Sequence, residues 1–310
     1  ARAAFTRSAR DSGVLTRVLS GDFPRSRALA LALAVILIGL ALAPFIFPGT
    51  RSLTVAAKVC VFVLLVASYD LLLGYTGIVS FAHTMFFGIG GYGVGIAMAK
   101  MDSTWGALAI GVFVSLALSA VIALAIGLLS LRVRAIFFAM ITLAVASFFQ
   151  ILASQLSGLT GGEDGINFKL PDALRPATSF FEATFFGVAV NGRLVSYYIV
   201  YAVALAFFLV LLRVVNSPFG RVLLSIRENE FRSEALGYRT VTYRTVANCL
   251  GALGATVAGI LYAIWLRYTG PDTTLSFNIM IDILLMVVIG GMGTMYGSVI
   301  GATLFVVAQN

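Results

Sequence analysis

Charge is what this chain has least of. Asp, Glu, Lys and Arg together make up 11% of its 310 residues, whereas a water-soluble domain carries about 25%. So few charges cannot cover a surface facing water, which excludes a soluble globular domain. The chain has one histidine and two cysteines. Cys60 and Cys249 both fall in apolar runs, without metal-type spacing, and read as small core hydrophobes. No G-x-x-x-x-G-K-[ST] loop for ATP phosphates is present, and there is no nucleophile triad and no metal-ligand cluster. The chain is therefore expected to be no enzyme, with no metal and no cofactor of its own.

What is there is apolar. Hydrophobic residues make up 60% and the mean hydropathy is +1.01. The apolar runs reach about 20 residues, the length a helix needs to cross the hydrocarbon. They lack the alternation of a barrel strand, so the expected fold is an all-α integral membrane protein. The pattern predicts a polytopic helical bundle with about 8–10 transmembrane spans, including Gly-broken segments.

A basic cytoplasmic leader, 1–27, with six arginines precedes a single transmembrane domain, 28–310. The expected spans are 28–47, 53–73, a broken stretch 74–100, then 104–131, 135–156, 194–215, 244–267, 278–289 and a last one to the end. A polar loop, 157–193, and a polar island, 216–243, separate them. No cleavable signal peptide is found, the first apolar run being too long. The chain starts without Met and stops in an apolar run at Asn310, so further residues are expected at both ends.

Alternating the spans from a cytoplasmic leader places fourteen of the 21 Lys and Arg inside, six outside and Lys58 within a span. That bias sets an N-terminus in the cytoplasm and matches an anionic inner leaflet. The net charge of +8 is thus an orientation signal, not a nucleic-acid footprint. Trp105, Tyr197, Tyr198, Trp265 and Tyr268 are predicted to gather at the outer interface.

Two segments in opposite halves are dense in glycine, 74–95 and 289–301. A Gly-interrupted pair in two halves points to a translocation site. Close small-residue helix packing is the other reading, and both stand. Translocation-path candidates are Tyr75, Thr76, Ser80, His83, Thr142 and Asp282. Asp70, His83 and Asp282 are ionisable residues inside spans, where they are energetically expensive. The outer loop carries Leu159-Thr-Gly-Gly-Glu-Asp-Gly165. Its acids fit no EF-hand or acid–base pair; Glu163 and Asp164 are candidates for docking an outside partner, or members of a tight turn.

The island is compact and charged. Pro218 suits a first helical turn. Phe219, Val222, Leu223 and Ile226 fall on one face, while Arg221, Arg227, Glu228 and Glu230 reach water. Gly237 is expected to stop a second short turn. The stretch is either a tie between two spans or a handle moved by a cytoplasmic motor.

At these residues the chain resembles the branched-chain amino-acid permease family of ABC importers, the Liv type. The resemblance rests on Gly-Tyr-Thr-Gly-Ile-Val-Ser-Phe-Ala-His at 74–83, Leu-Arg-Val-Arg-Ala-Ile-Phe-Phe-Ala-Met-Ile-Thr-Leu at 131–143 and the 159–165 turn. Ser-Pro-Phe-Gly-Arg at 217–221, Ile-Arg-Glu-Asn-Glu at 226–230 and Ile-Leu-Leu-Met-Val-Val-Ile-Gly-Gly-Met-Gly at 283–293 complete it. It departs from the family at Asp70, where an amide is more frequent, and at Asp282, where glutamate is.

The resemblance implies a second permease subunit in a heterodimer, two cytoplasmic ABC ATPases that bind ATP and Mg, and a periplasmic substrate-binding protein. It also implies a bacterial inner membrane as the setting. Glu-Ala-Leu-Gly at 234–237 is similar to the core of the loop that docks the ATPases, so Arg227, Glu228, Asn229, Glu230, Glu234, Ala235 and Gly237 become ATPase-coupling candidates. Relatives carry urea, short amides or aromatic acids as well. Rival readings are an ion-coupled secondary transporter using Asp70, His83 and Asp282, and a structural subunit of a membrane complex.

Overall fold

The computed structural model describes residues 27–46, 49–101, 103–130, 135–175 and 191–310. The leader up to residue 26, the 131–134 part of the family-like stretch and the middle of the polar loop lie outside them. The described chain is helical almost throughout. In order, the helices are α1 (Arg27–Ile46), α2 (Thr50–Thr76), α3 (His83–Lys100), α4 (Trp105–Ser130), α5 (Ala135–Gln155) and the single turn α6 (Ser157–Thr160). They continue with α7 (Gly192–Val215), α8 (Pro218–Glu228), α9 (Glu230–Ala235) and α10 (Thr240–Leu266). The last are α11 (Pro271–Thr274), α12 (Phe277–Gly290) and α13 (Met295–Gln309). One antiparallel pair, β1 (Ile166–Asn167) with β2 (Tyr268–Thr269), pins the polar loop to the end of α10.

Six helical stretches among the described residues are long and apolar enough to cross a bilayer. They are Thr50–Thr76, Trp105–Leu128, Ile136–Gln155, Gly192–Val215, Thr240–Leu266 and Pro271–Gly290; Leu29–Phe45 and Met295–Gln309 are shorter apolar helices. This is an all-α polytopic membrane protein. Its interior is α2 and α10. In each, 78% of the apolar window is buried, against 22% in α5. α10 packs on α2, α3 and α4, and α2 also packs on α7 and α13.

Lipid is as apolar as leucine, so burial alone does not hold such helices together; close backbone approach and polar clasps do. A Cβ on Gly90 of α3 would collide with the Thr256 carbonyl of α10, and one on Gly259 with the Phe87 carbonyl. Between α10 and α4, Asn248 Nδ2 donates to Ala123 O (2.9 Å), and the Thr256 and Ser119 hydroxyls share a hydrogen bond (2.7 Å).

The sequence-based boundaries shift in one place that matters. The apolar pattern ends α2 at residue 73, whereas the helix runs on through Gly74 to Thr76. The break comes at 77–82, where Gly77 takes φ 72° as the helix C-cap. The glycines that follow, from Gly88 to Gly95, are helical and lie within α3.

Pro44 lies inside α1. It has no N–H, so the Leu40 carbonyl four residues back loses its helical donor. Tyr197 Oη donates to Leu40 O (2.5 Å) and Tyr198 Oη to Ala41 O (3.0 Å). Tyr197, predicted as an interface aromatic, thus repairs the proline gap from α7, and Tyr198 adds a bond one residue on.

Candidate functional site

The island folds as a helix, a corner and a second short helix. α8 begins with Pro218 in its first turn and buries Leu223 and Ile226. Phe219 is half-buried and stacks on Tyr243 at the start of α10, centroids 5.6 Å apart. Asn229 caps α9 by accepting from the Arg232 N–H (2.9 Å). Gly237, at φ 90°, ends it: its N–H reaches Glu234 O and the Tyr238 N–H reaches Ser233 O. That pair of bonds is a Schellman stop, as the glycine predicted.

Two of the charged candidates bond back to α10 and hold this shape. Glu230 forms an ion pair with Arg244 of α10. Glu234 Oε1 accepts from Thr240 Oγ1 (2.8 Å). Ser225 of α8 and Ser233 of α9 share a hydrogen bond at 3.0 Å. What faces water is partly apolar. Phe231 is 85% exposed and Leu236 68%, beside exposed Ala235, Gly237 and Tyr238. Phe231 and Tyr238 are not among the sequence candidates, and Leu236 enters there only within the 234–237 motif. The signal that could have found them is two large apolar side chains within a charged hexapeptide neighbourhood, off the buried face.

From the last turn of α8, Arg227 reaches up and donates to the Gly74 carbonyl near the end of α2. Its stem lies against Gly77, where a Cβ would stand 3.2 Å from Arg227 Cγ. A few ångströms away, Asp70 Oδ1 accepts from the Gly293 N–H (2.8 Å) in the turn between α12 and α13. Asp70 Oδ2 is buried without a hydrogen-bond partner. Gly293 sits at φ 82°, and a Cβ there would come within 2.9 Å of the Arg227 guanidinium. So the island, the end of α2 and the second glycine segment meet at one junction. Asp70, expected from the sequence only as an ionisable residue inside a span, belongs to it.

Around the 77–82 break lie five of the six path candidates. Tyr75 and Ser80 are buried. Thr76 Oγ1 donates to Leu72 O (2.6 Å). Thr142 of α5 accepts from the Phe81 N–H (3.1 Å) and donates to Ala139 O (2.9 Å), tying α5 to the break. His83 is buried with Nε2 2.8 Å from Ser68 Oγ, and its ring meets Tyr69 edge-on at 5.1 Å. Ser68 Oγ also lies 2.7 Å from Leu65 O. A hydroxyl has one hydrogen; given to Leu65, it leaves His83 Nε2 as the donor. Asp282 stands apart, about two turns along α12 from Gly290 and within hydrogen-bonding reach of Gln309.

Glu163 and Asp164 occupy a 3-10 turn, Gly162–Asp164, with both side chains exposed. Tyr268 Oη donates to Asp164 O (3.1 Å), so the turn is fastened to β2 while its carboxylates stay free to face water. No group of three or more His, Cys, Asp or Glu able to hold a metal occurs among the described residues.

The family described as "Branched-chain amino acid transport system / permease component" matches residues 52–310. The high-affinity branched-chain amino acid transport system permease protein LivM of Salmonella typhimurium is 26% identical over 94% of this chain and 69% of its own length. LivM of Escherichia coli K12 is 26% identical over 82% of this chain and 62% of its length. A probable branched-chain amino acid transport permease LivM from Methanocaldococcus jannaschii is 26% identical over 54% of this chain and 45% of its length. The chain thus spans about two thirds, or less, of the relatives it matches. No solved structure matches it. A matched stretch that runs from the start of α2 to Asn310, over a helical membrane bundle, means that the chain belongs to the branched-chain amino acid transport permease family.

Proposed function

We propose that the chain is the transmembrane permease subunit of an ATP-driven importer for branched-chain or related amino acids. In this reading a periplasmic binding protein delivers the solute to the face holding the 157–193 loop. A second permease subunit completes the conduit. Two cytoplasmic ATPases, which bind ATP and Mg, dock on the island. Their closure moves α8 and α9, and the bundle changes which side is open. That requires only that the ATPases bind the two states of the permease with different affinity.

The observation that carries the reading is the island's tip. Phe231 and Leu236 are exposed on a base fastened by Glu230–Arg244 and Glu234–Thr240. Apolar side chains held out into water on a rigid base are what a soluble partner's groove accepts. Lysine reversal of Glu230 and Glu234 would unfasten the base itself. The cleaner test is Phe231→Ala with Leu236→Ala, which removes only exposed side chains. Reconstituted with its co-purifying ATPases, the double variant should insert normally and lose ATP-driven uptake of leucine, isoleucine or valine. Uptake at the unaltered rate, or accumulation by the chain alone without nucleotide, overturns the proposal.

An ion-coupled relay through Asp70, His83 and Asp282 finds less support. His83 is engaged with Ser68, Asp70 with Gly293, and Asp282 stands away on α12.

A further inference from the structure

At the end of the bundle that holds the polar loop, the starts of α2 and α7 and the end of α10 enclose a cavity of about 120 Å³. Arg193, Arg267, Trp265, Thr54 and Ser196 line it, together with leucine and isoleucine side chains. We propose that this cavity is a carboxylate-binding subsite, with the guanidinium groups of Arg193 and Arg267 as its anion-recognising groups. The inference rests on the import reading for its purpose, since this is the face at which solute would arrive.

Four observations carry it. First, both arginines line this one cavity, yet neither forms an ion pair with an acid among the described residues. The ion pairs found there are Arg175–Asp172 and Arg244–Glu230. Two cations facing one cavity without a counter-charge attract an anion.

Second, Arg193 is already held in place. Its Nη2 donates to Thr50 O (3.0 Å) and Thr54 Oγ1 (3.2 Å), and its guanidinium lies 5.5 Å from the centre of the Trp265 ring. A guanidinium has five N–H donors, so donors remain for a planar carboxylate, the geometry the fork matches. Third, Arg267 has φ 57° and is the only non-glycine with positive φ among the described residues. It is the left-handed C-cap that ends α10, a place glycine usually takes, so an arginine there carries backbone strain. Fourth, the volume equals that of about four liquid waters, room for a carboxylate on a short apolar stem, which the flanking leucines would meet.

The carboxylate has two possible sources, a free amino acid or an acidic side chain of a docked binding protein. Trp265 supplies a reporter, because the chain has two tryptophans and the other, Trp105, is more than half exposed at the start of α4. In a Trp105→Phe background the full chain in lipid nanodiscs is titrated at constant ionic strength with L-leucine, isovalerate and isoamylamine. A free-solute site gives a saturable change in Trp265 emission with the two carboxylates and none with the amine. Arg267→Gln should weaken it at least tenfold, and Arg267→Lys, which keeps the cation at the same backbone position, should retain most of it.

If free carboxylates are silent, the second arm measures binding of the cognate binding protein. Weakening at least tenfold by Arg267→Gln, with recovery in Arg267→Lys, assigns the site to a protein carboxylate. Silence in the first arm with unchanged protein binding in the second overturns the subsite. Uptake measured on the same variants with and without ATP reports separately on the import reading: nucleotide-independent accumulation would end that reading and leave the fluorescence result standing.

Discussion

Replacing Arg227 by leucine should destabilise the protein more when Asp70 is intact than when it carries Asp70→Asn. Leucine keeps an apolar stem over Gly77 and removes the guanidinium. Two things are lost. The Gly74 carbonyl, bonded by Arg227, is among the last four of α2, which have no partner within the helix. Losing a charged donor there costs about 1.5–3 kcal/mol when the carbonyl stays dry. Arg227 is exposed to water, so the lower end applies.

The second loss is the counter-charge to Asp70, whose Oδ2 is buried without a partner. The two groups are farther apart than an ion pair. At separations beyond ~4 Å and an effective dielectric of ~20–80, their attraction stays below about 1–4 kcal/mol. Asp70→Asn keeps an acceptor for the Gly293 N–H and removes the charge. The expected cost of Arg227→Leu is therefore about 2–4 kcal/mol beside Asp70 and about 1–2 kcal/mol in the Asp70→Asn background. The four proteins of the cycle are compared by reversible unfolding in mixed micelles. Equal costs in the two backgrounds, within the roughly 0.3–0.5 kcal/mol at which independent sites add, would refute the electrostatic half of the junction. Under the proposed function the same variant should hydrolyse ATP and import poorly.

Tyr197→Phe should cost about 1–2 kcal/mol by leaving Leu40 O without a donor, and Pro44→Ala, which restores the helical N–H, should recover most of it in the same unfolding assay. Gly259→Ala should lower stability by about 1–3 kcal/mol, because its Cβ enters the Phe87 carbonyl and forces α3 from α10; thermal denaturation of the purified protein checks it. Arg267→Gly should raise stability by about 0.5–1 kcal/mol, the relief of a left-handed residue less the entropy of glycine, while abolishing the Trp265 response to isovalerate. Phe231→Ala alone should weaken ATPase binding by about 30- to 900-fold, the range for losing a buried aromatic anchor at about 2–4 kcal/mol, with folding unchanged; binding to immobilised ATPase reads it.

Much of this was legible in the sequence because it is written locally. A 20-residue apolar run marks α4 or α7 without reference to anything else. Pro218 starts α8 and Gly237 stops α9 by backbone chemistry that belongs to those residues. What was not legible depends on partners far along the chain. Tyr197 meets Leu40 across 157 positions and Asp70 meets Gly293 across 223. Glycine density also admitted two readings. Composition cannot say whether Gly90 unwinds a helix or lets another approach; the Thr256 carbonyl at its Cβ position decides for approach. Glu230 reads from the sequence as a water-facing charge, since a short island with no known neighbours gives no sign that Arg244 stands behind it.

The way the island is attached bears on how motion would pass through it. Beside its side-chain contacts to α10, the island has one link made to backbone: Arg227 holds the Gly74 carbonyl, next to which Asp70 of α2 holds the Gly293 N–H. A side chain gripping another side chain can turn about several bonds and absorb a displacement. A side chain gripping backbone at a helix end moves the helix end. Gly74 lies in the last turn of α2, the most buried helix with α10, and Gly293 lies in the turn joining α12 to α13. Both positions lack a Cβ where one would collide with the other half of the junction, so the contact is short as well as stiff. Under the proposed function, a pull on α8 would reach the end of α2 and, through Asp70, the turn before α13. Lengthening it should weaken that transfer: Gly293→Ala, which puts a methyl against Arg227 and strains a left-handed residue, should lower import more than it lowers ATP hydrolysis, and an equal fall in both would show that the junction serves stability alone.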